Sequence, residues 1–173
     1  MKPPRAILAT ALSSAGVLIL TAFWRPVPLL IWNATASVPI GLYAVRPARR
    51  LTVGELVVAR PPEPLAAYLS DGRFLPEGLP IVKPIAALPG QTVCRSGVAV
   101  SIDGTVVANA RPLDHAGRAL PVWRGCYRLA AGEVFLLNAH QPASLDGRYF
   151  GALPTNSIIG RAAPIWTPKE RVP

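Results

Sequence analysis

Hydrophobic residues are distributed unevenly along the chain. From Ala6 to Trp24 there are 19 residues without a charged side chain, preceded by Lys2 and Arg5 and followed by Arg25. That length suits a membrane-spanning helix better than the shorter apolar core of an export signal. The apolar character continues through Pro26-Val27-Pro28-Leu29-Leu30-Ile31-Trp32, but its prolines rule out a continued helix. This segment is expected to lie along a membrane surface, with Trp24 and Trp32 at headgroup level. Beyond it, apolar residues come in short runs punctuated by glycine, proline and Asp or Asn, which is the rhythm of strands and turns. Strands are expected at Gly41–Val45, Glu55–Ala59, Leu79–Ile85, Gln91–Cys94, Cys126–Leu129, Glu133–Asn138 and Ser157–Ile165. A hairpin is expected from Val98–Ile102 and Thr105–Ala108, joined by Asp103-Gly104, a favoured two-residue turn. Pro61–Pro76 and Asn109–Trp123 read as loops, and no amphipathic helix stands out. The fold class is therefore mainly β, with residues 1–25 as an N-terminal membrane anchor or signal-like segment and residues 26–173 as one β-rich domain.

Composition supports that division. Twenty prolines and fourteen glycines among 173 residues disfavour long helices, while the frequent apolar runs disfavour disorder. The net charge of +9 is carried by scattered arginines, with no basic run interleaved with aromatics, so nucleic acid is not an expected partner. Anionic lipid headgroups are the expected use of that charge. Two positive side chains before the apolar run and one after it place the N-terminus in the cytoplasm by the positive-inside rule, and the domain outside it, in a periplasm. The alternative is a soluble periplasmic protein released by cleavage after Ala34-Thr35-Ala36, a small-x-small pattern. Ala36 lies twelve residues beyond Trp24, farther than such cleavage normally falls. Cys94 and Cys126, the only cysteines, can pair in an oxidising compartment; two buried free thiols are the other possibility. Two cysteines and two distant histidines make no recognisable metal-ligand set, and no cofactor is implied.

Lys83 is the oddest residue in the domain. It interrupts the apolar run Leu79-Pro80-Ile81-Val82-Lys83-Pro84-Ile85, in a chain whose only other lysines are Lys2 and Lys169. A lysine there is compatible with an edge position, its stem packed and its ammonium in water. It is also compatible with a desolvated amine that can act as a base, which an arginine cannot do. Ser37, in Thr35-Ala36-Ser37-Val38-Pro39, lies in the turn-like segment after the apolar region. A serine nucleophile with a lysine base is a known alternative to a histidine triad. The triad itself is disfavoured: there is no Gly-x-Ser-x-Gly elbow, and neither His115 nor His140 has a triad setting.

Four blocks in order resemble the signal peptidase I family of membrane-bound Ser–Lys proteases, and within it the TraF-type conjugal-transfer branch that processes pilins. These are Thr35-Ala36-Ser37-Val38-Pro39 with the following Ile40-Gly41-Leu42-Tyr43, then Val53–Pro61, Lys83–Gln91 and Ser144–Gly151. The chain departs from the family pattern at Ala87, Gln91 and Asn138-Ala139-His140, where glycine, aspartate and a Gly-Asp-Asn run are usual. The resemblance implies a signal-peptidase-like β-rich catalytic domain behind one N-terminal transmembrane helix. It implies Ser37 as nucleophile, Lys83 as general base and Ser144 as the hydroxyl that aims the lysine. Thr35 would supply an oxyanion donor beside the Ser37 backbone N–H, and Asp146 and Arg148 an ion pair bracing the loop. Val38, Leu42 and Val82 would line shallow pockets for small substrate side chains. The implied partners are a membrane-bound pilin or preprotein, inner-membrane lipid and a conjugative transfer apparatus. The alternatives are a general signal peptidase for exported preproteins and a non-enzymatic periplasmic component of a transfer or secretion complex.

Overall fold

The computed structural model describes residues 5–23 and 29–168. It opens with the helix α1 (Arg5–Phe23), 19 residues long, whose described apolar side chains, among them Ile7, Leu8, Leu12, Val17 and Ile19, are exposed. Among the described residues, no helix is long and apolar enough to cross a membrane. The expected span thus forms a helix over Arg5–Phe23, and Trp24 lies outside the described residues.

The domain is two antiparallel sheets. The larger contains β1 (Leu30–Asn33), β2 (Gly41–Arg46), β3 (Leu56–Ala59), β4 (Ile81–Ala87), β9 (Glu133–Leu136), β10 (Leu153–Pro154) and β11 (Ile158–Trp166), in the order β1-β2-β11-β3-β4-β9-β10. The smaller contains β5 (Thr92–Ser96), β6 (Ala99–Ile102), β7 (Thr105–Asn109) and β8 (Gly125–Arg128), in the order β7-β6-β5-β8. The β6–β7 hairpin turns at Asp103 (φ 49°) and Gly104 (φ 84°), the two positive angles its turn type requires. Cys94 and Cys126 face each other across β5 and β8 and are joined as a disulfide.

One strand and two helical elements depart from the sequence expectation. Leu30–Asn33, expected to lie on a membrane surface, is an edge strand paired with β2, Trp32 opposite Leu42. Pro61–Pro76, expected as a loop, contains the helix α2 (Glu63–Asp71). Its prolines fall at the N-cap and in the first turn, where the missing N–H groups are not needed, and Leu65 and Leu69 bury one face at i, i+4 spacing. A single helical turn, α3 (Gly147–Phe150), follows Asp146 as N-cap.

β4 carries the geometry that matters for function. Successive strand side chains point to opposite faces. Val82 enters a core with Val38, Tyr43, Val45 and Val58. Ile81 and Ile85 face the other side, toward Val57, Leu65, Leu69 and Leu136. Lys83 shares that second face, between two isoleucines and opposite Val57 of β3. A cation in that position loses most of its water.

Candidate active site

The turn between β1 and β2 carries Ser37. Gly41 starts β2 with φ 151°, and a Cβ there would stand 2.2 Å from the Trp166 carbonyl oxygen, so only glycine lets β11 close against this turn. Asn33, buried at the end of β1, holds the turn from inside. Its Nδ2 donates to the carbonyls of Thr35 (2.8 Å), Val38 (3.1 Å) and Pro39 (3.1 Å). Its Oδ1 accepts from the Thr35 N–H (3.3 Å) and hydroxyl (3.0 Å). Tyr43 donates its hydroxyl to the Pro39 carbonyl at 2.6 Å. From the segment after β9, Asn138 Nδ2 donates to the Ser37 carbonyl (2.6 Å) and Gln141 Nε2 to the Ala36 carbonyl (3.1 Å). The half-buried Ser37 hydroxyl lies 3.1 Å from Thr35 Oγ1.

Lys83 is 4% exposed and donates one hydrogen bond, 2.8 Å to Ser144 Oγ. Burial is the main influence on its amine and lowers the pKa to about 8; Asp146 pulls it up and Arg148 presses it down. At pH 7 a lysine at its ordinary value is neutral in about one molecule in a few thousand, whereas one at 8 is neutral in about one in ten. Among the hydrogen bonds of the described residues, the lysine engages Ser144 and the serine nucleophile candidate engages Thr35.

Asp146 and Arg148 form a buried knot behind Ser144. The guanidinium meets the carboxylate through Nε–Oδ1 (2.8 Å) and Nη2–Oδ2 (3.1 Å), a two-pronged contact with fixed geometry. The remaining Arg148 donors reach the carbonyls of Asn138 (2.6 Å), Gln141 (3.3 Å), Pro142 (3.3 Å) and Asn109 (3.3 Å). Asp146 also accepts from the Asn138 N–H (3.0 Å) and the Arg148 N–H (3.2 Å). Arg95, buried on β5, donates to the Arg148 carbonyl at 2.5 Å and the Pro121 carbonyl at 3.1 Å, which ties the smaller sheet to this loop. The knot thus shapes the segment 138–148, which presents Ser144 to the lysine and Asn138 to the serine.

Ser37, Thr35, Lys83 and Ser144 open on one cleft of roughly 800 Å³, whose walls are mostly apolar and include Ile31, Val82, Leu145 and Phe74. Of the three expected pocket residues, only Val82 lines it. Val38 is a core residue packed with Tyr43 and Val58, and Leu42 is half-buried on β2 away from the cleft. The cysteines lie in the smaller sheet, outside the cleft lining. His115 lines the cleft beside Asp114, but that carboxylate is taken by Arg118 at 2.7 Å. Among the described residues there is no cluster of three or more His, Cys, Asp or Glu side chains that could hold a metal.

Asn33, Gln141 and Arg95 were not singled out by sequence, and Asn138 only as a departure from a pattern. Each acts on backbone carbonyls, and a carbonyl acceptor leaves no mark in a sequence.

The family model described as "Signal peptidase, peptidase S26" matches residues 5–167. The chain is 34% identical over 145 residues to a protein named "Conjugal transfer protein TraF" from Agrobacterium fabrum, covering 78% of this chain and 81% of that protein. It is 30% identical over 147 residues to a "Plasmid transfer protein TraF" from Escherichia coli, with the same coverage of 78% and 81%. A "Probable signal peptidase I-1" from a Synechocystis species is 32% identical over 119 residues, 69% of this chain and 56% of that protein.

Proposed function

The chain belongs to the signal peptidase family, peptidase S26, and on that footing we propose that it is a membrane-anchored serine endopeptidase that processes a pilin precursor in conjugal transfer. The observation that carries this reading is the buried Lys83 amine, lowered to about 8 and held by Ser144 beside the cleft that Ser37 shares. The conjugal role is supported by the likeness to proteins named for conjugal and plasmid transfer.

In this reading the Ser37 hydroxyl turns toward Lys83 as Oγ attacks the scissile carbonyl carbon, and its proton passes to the neutral amine. The new oxyanion is met by the Ser37 N–H and the Thr35 hydroxyl. When the C–N bond breaks, the ammonium returns the proton to the leaving amine, and an acyl ester remains on Ser37. Water then hydrolyses the ester through the same base. If the substrate's own amine attacks instead, the product is a circle, and the tethered amine is favoured where water is kept out.

Membrane attachment is supported by the uncharged stretch from Ala6 to Trp24 and by the exposed apolar side chains of α1. Trp32 and Trp166 stack with ring centroids 5.8 Å apart, both more than half exposed, beside the exposed Leu30. Aromatic side chains of this kind favour the headgroup level of a bilayer. The domain would then face the periplasm, with its cleft near the membrane where an embedded precursor is presented.

The test is the intact mass of the mature pilin from donor cells that express the wild-type chain, Ser37→Ala or Lys83→Arg. A shortened product in the wild type with a longer precursor in both variants supports the reading, and a further loss of one water indicates cyclisation. Equal masses in all strains overturn it. One observation, the likeness to the Synechocystis protein, favours a general signal peptidase as the second reading; processing of many exported preproteins would distinguish it.

A further inference from the structure

We propose that Asn33 is a positioning residue for the reaction, acting through Thr35 to set where the protons of the nucleophile turn point. The inference rests on the reading of Ser37 as nucleophile. The orientation of the Asn33 amide is fixed by its surroundings: one end faces the three carbonyls of Thr35, Val38 and Pro39 at 2.8–3.1 Å, so that end is the NH2. The other end is therefore the oxygen, which can only accept, and it accepts both the N–H and the hydroxyl of Thr35. Thr35 has one hydroxyl proton, and it goes to Asn33. In the 3.1 Å contact between Thr35 Oγ1 and Ser37 Oγ the donor must then be Ser37. The chain of donors runs from Ser37 to Thr35 to Asn33.

Two consequences follow for the reaction. Without substrate, the Ser37 proton is given to Thr35, and the amine of Lys83 is bound to Ser144. A substrate oxygen entering the cleft must draw the Thr35 proton off Asn33. When it does, Asn33 Oδ1 still holds the Thr35 N–H at 3.3 Å, so the residue keeps its place while its hydroxyl swings to the developing oxyanion. That swing turns the Thr35 lone pairs relative to Ser37 and weakens the bond that holds the Ser37 proton, so that it can pass to Lys83. Asn33 thus links oxyanion binding to release of the nucleophile.

The test is a double-mutant cycle on the full-length chain in detergent micelles. It follows cleavage of a quenched fluorogenic peptide with alanines one and three residues before the scissile bond. Thr35→Val removes the hydroxyl at nearly constant volume and is expected to lower kcat by about 100- to 1000-fold, the usual effect of losing one oxyanion donor. Asn33→Ala in the native background is expected to lower kcat by about tenfold or more with little change in KM. In the Thr35→Val background its further effect should be several-fold smaller, because the hydroxyl it acts through is gone and only its hold on the turn's backbone remains. Thr35→Ser, which keeps the hydroxyl, should restore sensitivity to Asn33. A second variant, Asn33→Asp, keeps an oxygen acceptor for the Thr35 hydroxyl but loses the NH2 that holds the three carbonyls; its loss of kcat should shrink with Thr35→Val, and a loss of equal size in both backgrounds counts against the proposal. Losses that multiply in the double mutants, or thermal melts showing that neither Asn33 variant folds, make Asn33 a structural residue and overturn the proposal. Full activity in Ser37→Ala overturns instead the reading on which it rests, whatever the cycle shows.

Discussion

Lys83 Nζ and Ser144 Oγ, 61 residues apart in the chain, meet at 2.8 Å with both side chains buried. The serine satisfies an amine that has almost no water, and it does so without adding a charge that would raise its pKa. Ser144→Ala leaves the amine without that acceptor. Stability should fall by about 1–3 kcal/mol, the range for an unsatisfied buried polar group. Activity should fall at least about tenfold through misplacement of the base. Urea melts and peptide cleavage assays read the two effects separately, and a fully active variant would remove Ser144 from the site.

The pKa of Lys83 sets a pH profile. Only the neutral amine accepts a proton, so kcat/KM should rise with pH and level off above about 8. Lys83→Arg should be inactive throughout, because a guanidinium stays protonated.

The same shift has a consequence for stability, with the sign opposite to that of a partnered lysine. The folded pKa, about 8, lies below the ordinary value of 10.5. Between them the unfolded chain binds more protons, so stability rises as pH increases through this window and is flat above it. Below about 8 the buried charge costs roughly 3 kcal/mol relative to that plateau. Lys83→Met should therefore melt higher than the wild type at pH 7, with the advantage fading toward pH 10. Calorimetry at several pH values would show it; an equal difference at every pH would not fit a titrating amine.

Asp146→Ala leaves the Arg148 guanidinium buried without its carboxylate. Loss of one partner of a buried pair typically costs about 3–5 kcal/mol. Because Arg148 also holds the Asn138 carbonyl and Asn138 holds Ser37, kcat should fall as well. Denaturant melts measure the first effect, and activity at a temperature where the variant is folded measures the second.

The Cys94–Cys126 bridge closes a loop over a sequence separation of 32, which corresponds to about 3–4 kcal/mol in the chain-entropy picture. Reduction, or replacement of both cysteines by alanine, should lower the melting temperature while leaving kcat near that of the wild type at low temperature, since the cleft is elsewhere. A large loss of kcat in the folded variant would show that the smaller sheet shapes the cleft.

Most strands were legible because their ends carry chemistry. Asp103-Gly104 specifies a turn, and the short apolar run Gly41–Val45 between turn residues marks β2. The helix α2 was hidden because Pro62 and Pro64 read as breakers, although at a helix start they are harmless. β1 was hidden because Leu30-Ile31-Trp32 is as apolar as a membrane segment, and only its pairing with β2 distinguishes the two. In the site, Lys83 and Ser37 stood out as polar residues in the wrong company, and Ser144, Asp146 and Arg148 through a motif. Val38 illustrates the limit: a matched motif position names an apolar side chain, not whether it faces a core or a cleft.

The order of the larger sheet puts β11, late in the sequence, between β2 and β3. β1 and β2 carry the turn with Ser37, and β3 pairs with the strand that carries Lys83. Without β11 these are two pieces with no strand joining them. During synthesis, at about 5–20 residues per second, the strands on the two sides of the site therefore become one continuous sheet only after residues 158–166 have left the ribosome.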